Sequence, residues 1–363
     1  MQEFDDIRPY YDEEVSGVLG LLIRDSGLLN FIARWRFPRL HRLFPFLACL
    51  LVRGYLSNRF GGVSSIKEFQ DMVYHFARKI VTETTDGFEY SGLEHLAHDK
   101  GYIFVSNHRD IAGDSMLLDY ALYVSGFDTV RIAVGDNLVQ VGFATDLMKL
   151  NKSFFIKRSA EGIKKIYAAL LQSSRYMHKS LTEGQSIWIA QSEGRAKDGM
   201  DLTDPAIIKM FVLADRKANF SDVIRMLNIV PMAISYEYDP CDVPKAIELA
   251  AIEADGVYQK PKGEDLANLA RGLGGYKGRV VLRLGKPLTA DYPSADAVAS
   301  EIDGQIRDNL ELFPINHWAL SKLKGTDEPG ERAAFEQRLL ACPEHARAHL
   351  LAMYANPVRN KRG

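Results

Sequence analysis

Between residues 88 and 284, short β-branched and aromatic runs alternate with stretches of helical spacing, and that alternation is what most narrows the fold. The runs are Tyr102–Val105, Thr129–Val134, Ser153–Lys157, Ser186–Ala190, Asn228–Glu237 and Arg279–Leu284, with Phe88–Leu93 opening the series. They predict a three-layer α/β domain over residues 88–320, behind an amino-terminal helical segment (1–87) and ahead of a short helical carboxy-terminal tail (321–363). In that tail a helix pair over 331–354 is expected to break at Pro343, and the Pro- and Arg-containing end, 356–363, is expected to fray. Gly272-Leu273-Gly274-Gly275 lacks the preceding strand and the spacing of a nucleotide-binding loop, so it reads as a turn.

One stretch stands apart. From Tyr102 to Leu118 the chain reads Y-I-F-V-S-N-H-R-D-I-A-G-D-S-M-L-L. A strand buried on both faces stops at Asn107-His108, a polar loop comes next, and helical spacing resumes at Ser115. His108 therefore lies at the carboxyl end of a strand, where open α/β sheets hold their ligands.

The amino-terminal segment has its own signature. From Ser26 to Lys67 there is no Asp or Glu, yet Arg34, Arg36, Arg39, Arg42, Arg53, Arg59 and Lys67 are interleaved with Trp35, Phe37, Phe44, Phe46 and several leucines. Cations among aromatic and aliphatic side chains suit helices lying in the headgroup region of an anionic membrane surface. The longest apolar run, Leu43–Val52, is about half of the ~20 residues a spanning helix needs, so the segment is expected to lie on the membrane, with Pro38 and Pro45 dividing it into short helices. Six acids in the first 14 residues argue against a signal peptide, and three scattered cysteines argue for a reducing compartment. The expected location is cytoplasmic, peripheral on the inner face of the cell membrane. His95, His98 and His108 have no metal-ligand spacing, so no metal is expected, and no nucleic acid partner.

Four segments fall in order along this scaffold: N-H-R-D-I-A-G-D at 107–114, F-F-I-K-R-S at 154–159, E-G-R-A-K-D-G at 193–199 and I-V-P-M-A-I-S-Y-E at 229–237. Together they resemble the motif blocks of the phospholipid/glycerol acyltransferase family, over about residues 88–287. The resemblance implies transfer of a fatty acyl group from acyl-CoA or acyl carrier protein, as co-substrate with no resident cofactor, to a hydroxyl of a glycerol phosphate acceptor. Two departures are visible. The family spacing H-x-x-x-x-D would put the acid at position 113, here Gly113, and the third block reads A-Q-S-E-G-R where F-P-E-G is usual.

The chemistry of the residues agrees with that implication. Acyl transfer to an alcohol needs a base near neutral pKa, and His108 is the candidate. Asp114, or failing it Asp110, would orient the imidazole. Lys157 and Arg158, with Arg195 and Lys197, come after two predicted strands and suit a phosphate. The resemblance gives Glu193, Gly194 and Arg195 to the acceptor, joined by Arg158, and Glu193 is placed to orient Arg195. Without a Cys-His pair or a G-x-S-x-G elbow, no covalent acyl-enzyme is indicated. The acceptor reads as 1-acylglycerol-3-phosphate in preference to glycerol-3-phosphate. An inactive membrane-surface binding protein and an acyl-thioester hydrolase are the alternatives.

Overall fold

In the computed structural model, which describes residues 3–136, 142–158, 161–200, 202–261, 263–326 and 333–362, each predicted run becomes a strand close to its expected bounds. In chain order, α1 (Asp12–Leu22), α2 (Ser26–Arg36), α3 (Pro38–Leu43), α4 (Pro45–Phe60) and α5 (Ile66–Thr84) precede β1 (Gly87–Ser91). Then come β2 (Ile103–Ser106), α6 (Gly113–Val124), β3 (Arg131–Gly135), α7 (Gly142–Leu150), β4 (Ser153–Ile156), α8 (Ile163–Thr182) and β5 (Ile187–Ala190). Helices α9 (Pro205–Phe211) and α10 (Phe220–Met226) lead to β6 (Ile229–Tyr236), and α11 (Asp242–Asp255) and α12 (Glu264–Gly274) lead to β7 (Arg279–Leu284). Helices α13 (Ala295–Asn309), α14 (Pro314–Leu323), α15 (Ala333–Ala341) and α16 (Arg347–Arg362) close the chain.

The chain divides into two compact units, one of Met1–His75 with Val130–Tyr176 and the other of Phe76–Thr129 with Met177–Gly363. The expected boundary at 320 falls inside α14, which packs on α16. In the second unit the strands run β1-β7-β6-β2-β5. Strand β2 is parallel to β5 and β6, while β7 is antiparallel to β6 and parallel to β1. Alternation then assigns the faces. Phe88, Val280, Leu282, Ile234 and Tyr236 share one face, where the Phe88 ring meets Tyr120 of α6 edge-on. Ser235 and Arg283 share the other, where Arg283 donates to the Asn309 carbonyl at the end of α13 and the Ser235 hydroxyl accepts from the Glu311 amide. Helices on both faces make this unit the expected three-layer α/β arrangement.

The carboxy-terminal end departs from its expectation. Residues 356–362 continue α16, and the helix is tied down by Asn356, which donates to the Asp198 carbonyl (2.7 Å), and by Lys361, which donates to that of Leu310 (2.6 Å). Trp318, Phe335 and Tyr354 pack edge to face beside it, and these contacts add to the ties that hold a helix containing Pro357. Residues 331, 332 and 363 of that expectation lie outside the described residues. The predicted turn at Gly272 is also helix: α12 runs to Gly274 and is capped at Gly275.

In the first unit β3 and β4 form a parallel pair, and Val15, Leu19, Leu22, Leu28, Ala33, Phe143 and Leu150 share one core with Ala48, Val52 and Leu56 of α4. Pro38 and Pro45 each open a helix, where a fixed φ and a missing N–H cost nothing. Among the described residues no single helix is long and apolar enough to cross a membrane. Helices α1 and α2 pass that test only as a pair bent by 67°.

Candidate active site

Strands β2, β5 and β6 run the same way, so their carboxyl ends meet at one edge of the sheet. Asn107 shapes the exit of the chain from β2. Its buried amide donates to the Ile234 carbonyl (2.9 Å) and accepts from the Ile234 amide (2.8 Å), continuing the ladder to β6 with a side chain in place of backbone. The next residue, His108, is thereby freed from the sheet. Its ring stands edge-on to Trp188 of β5, with centroids 5.5 Å apart, and Trp188 is itself fixed by donation to the Ser106 hydroxyl.

The acid that meets His108 is Asp114. Its Oδ2 lies 2.8 Å from His108 Nδ1 and also accepts from the amides of Arg109 (2.7 Å) and Asp110 (3.0 Å). Its Oδ1 accepts from the Tyr236 hydroxyl (2.8 Å). The carboxyl is fully buried, while the His108 side chain stays 15% exposed. A carboxylate already accepting three other donors requires a proton on Nδ1, which leaves the Nε2 lone pair as the basic position.

Asp110, the fallback partner, does something else. Its Oδ1 accepts from the amides of Ala112 (3.1 Å) and Gly113 (2.7 Å), closing the turn that starts α6. This turn absorbs the extra residue between His108 and the acid: a side-chain-capped loop needs only that position 113 be small, since a Cβ there would lie 3.0 Å from the Asp110 carboxyl. Asp110 Oδ2 is buried without a hydrogen-bond partner against Gly272 of α12. Burial, and then the charge of Asp114, push its pKa upward.

The third block approaches from β5. The Ala196 amide donates to the His108 carbonyl (2.9 Å), and Gly194, at φ +77°, makes the turn that allows it in a conformation L side chains rarely adopt. Between them Arg195 has an Nη1 that is buried and lacks any hydrogen-bond partner, a cationic donor positioned beside the His108 loop. Glu193, before the turn, is exposed. Lys197 is paired with Glu248 of α11. Lys157 and Arg158 belong to the first unit, where Lys157 pairs with Asp6 and the Arg158 amide donates to Asp136. Ser159 of that block lies outside the described residues.

Asn107, Trp188 and Tyr236 also build the site, although sequence reasoning gave them no role. The signal for Tyr236 was available, since it is the single hydroxyl among residues 230, 232, 234 and 236, which alternate onto one face of β6.

A His–Asp pair at a strand end, backed by an arginine whose Nη1 has no hydrogen-bond partner among the described residues, defines a site suited to proton abstraction beside a bound anion. Residues 87–235 match the family model described as Acyltransferase, so that stretch is an acyltransferase domain and the chain is an acyltransferase enzyme. Among solved structures, the crystal structure of the 1-acyl-sn-glycerophosphate (LPA) acyltransferase PlsC from Thermotoga maritima is similar at 13% identity, covering 85% of this chain and 100% of that one with a TM-score of 0.40. No curated protein matches.

Proposed function

We propose that the enzyme moves a fatty acyl group from an acyl thioester, of CoA or acyl carrier protein, to a free hydroxyl of a glycerol phosphate. His108 Nε2 takes the hydroxyl proton as the oxygen attacks the thioester carbonyl. Collapse of the tetrahedral adduct breaks the carbon–sulfur bond, and the same proton passes to the departing thiolate. Asp114 holds the ring in the required tautomer and stabilises the imidazolium between these two transfers. Arg195 takes the acceptor phosphate, with Glu193, Gly194 and Lys197 shaping that side. The observation that carries the reading is the buried, fully hydrogen-bonded Asp114 carboxylate on His108 Nδ1.

We also infer that the first unit docks on an anionic membrane from the cytoplasmic side. Helix α4 buries Ala48, Val52 and Leu56 yet exposes Phe46, Leu47, Leu50 and Leu51. A helix apolar all round requires an apolar partner on both sides. Leu43 and Phe44 before it are 70% and 60% exposed, and among the described residues none of the seven cations from Arg34 to Lys67 is ion-paired. An acceptor resident in the membrane fits such a surface, which favours 1-acylglycerol-3-phosphate over glycerol-3-phosphate.

Thiol release from an acyl thioester, measured with and without each acceptor, tests the reaction. Release that depends on 1-acylglycerol-3-phosphate supports it. Release independent of acceptor would make the protein a thioester hydrolase, and no release with any donor would leave a membrane-surface binding role.

A further inference from the structure

The geometry points to Tyr236 as a positioning residue that acts on His108 through Asp114, an inference that rests on the proposed general-base role of His108. Tyr236 ends β6, a strand buried along its whole length, and it is the polar end of a face otherwise made of Val230, Met232 and Ile234. Its hydroxyl reaches Asp114 Oδ1 at 2.8 Å, the carboxylate oxygen that His108 does not use. Asp114 Oδ2 has three donors of its own, whereas Tyr236 is the donor found on Oδ1. Removing that hydroxyl leaves a buried carboxylate oxygen unsatisfied, which is more costly than the loss of an exposed hydrogen bond. The carboxylate then becomes more basic, and the His108–Asp114 pair takes up a proton at higher pH as a unit.

The charged and titratable groups facing this bond are His108, Arg109 and Asp110 on the same loop, Asp239 just after β6, Lys245 on α11, Glu311 after α13 and Lys277 before β7. Lys245 pairs with Asp239 and also donates to the Arg109 carbonyl (2.7 Å), so these charges are held in place from behind the loop. Burial, together with the nearby Asp114 and Asp110 charges, keeps the Tyr236 phenol far above its ordinary pKa, and it remains a donor across the working pH range.

The test compares pH–rate profiles of acceptor-dependent acyl transfer for the wild type, Tyr236→Phe, Asp114→Asn, the double variant and His108→Ala. Tyr236→Phe should lower kcat by about tenfold, keep both KM values within about twofold, and raise the acid limb by about one pH unit. On the Asp114→Asn background it should add little, because its target carboxylate is gone. A merely structural tyrosine would lower the melting temperature without moving the acid limb, and that result overturns the inference. So does an unchanged kcat and limb while His108→Ala is inactive. If His108→Ala keeps its activity, the general-base reading itself falls, and the inference with it. Should Tyr236→Phe not fold, 3-fluorotyrosine incorporated at position 236 supplies a more acidic donor of nearly the same shape. It should move the acid limb down, and an unmoved limb rejects the role.

Discussion

Gly272→Ala should damage catalysis although the residue touches neither His108 nor any substrate group. Gly272 lies in the last turn of α12, where a Cβ would come within 2.1 Å of Asp110 Oδ2 and 2.7 Å of its Cγ and Oδ1. Ordinary contact begins near ~3.5 Å, so helix and loop must separate by more than ~1 Å. The Asp110 carboxyl cannot swing aside without surrendering the amides of Ala112 and Gly113, and it is fully buried. Overpacking of this kind costs ~1–3 kcal/mol, against which alanine recovers at most ~1 kcal/mol of helix propensity. A net loss of ~1–2 kcal/mol should lower the melting temperature of a chain this long by about 1–3 °C. The loop that yields carries the Arg109 and Asp110 amides bonded to Asp114, and displacement of about 1 Å at a catalytic group costs up to ~100-fold in rate. Thermal melts read beside kcat give the answer. A variant as stable as the wild type with unchanged kcat would show that α12 does not brace the loop.

Asp110→Asn tests the electrostatics of the same turn. Because burial and Asp114 raise its folded pKa above the unfolded 3.8, the folded state binds a proton more readily, and stability is lost as pH rises through that window. Asparagine should therefore flatten the dependence of melting temperature on pH just above 3.8 and leave the protein no less stable at pH 7. Arg195→Ala should raise the acceptor KM about tenfold or more with a smaller change in donor KM, since its charge-assisted bond is present in ground and transition states alike. A phosphate-free acceptor used equally well by the wild type would remove that role. Arg36→Glu, Arg39→Glu and Arg42→Glu together should weaken sedimentation with anionic vesicles at 0.1 M salt, at ~1 kcal/mol per cation, and the difference from wild type should shrink at 1 M salt, where the Debye length is ~3 Å. Unaltered sedimentation at low salt would contradict interfacial docking.

The strands and the His108 loop were legible because their signal is local. A buried strand must be apolar at consecutive positions, and the break at Asn107-His108 marks where it leaves the sheet. The short amino-terminal helices begin at Pro38 and Pro45 for a similarly local reason. What stayed hidden depends on contacts between distant residues. No spacing rule gives the Asn107 bond to Ile234, the Tyr236 bond to Asp114 or the approach of Gly272 to Asp110, which pair positions well over 100 residues apart. The same holds for the end of α16, whose composition suggests fraying until the Asp198 and Leu310 carbonyls are found beside it. The choice between Asp110 and Asp114 turned on a capped turn that only the backbone reveals.

The two aspartates also offer the most direct measurement. With one acyl donor and one acceptor, kcat for Asp114→Asn should fall ~100- to 10,000-fold, as expected when the imidazole loses the carboxylate that sets its tautomer, while Asp110→Asn keeps most of its activity. The reverse order, or two variants equally active, would contradict a His108–Asp114 pair as the base of this enzyme.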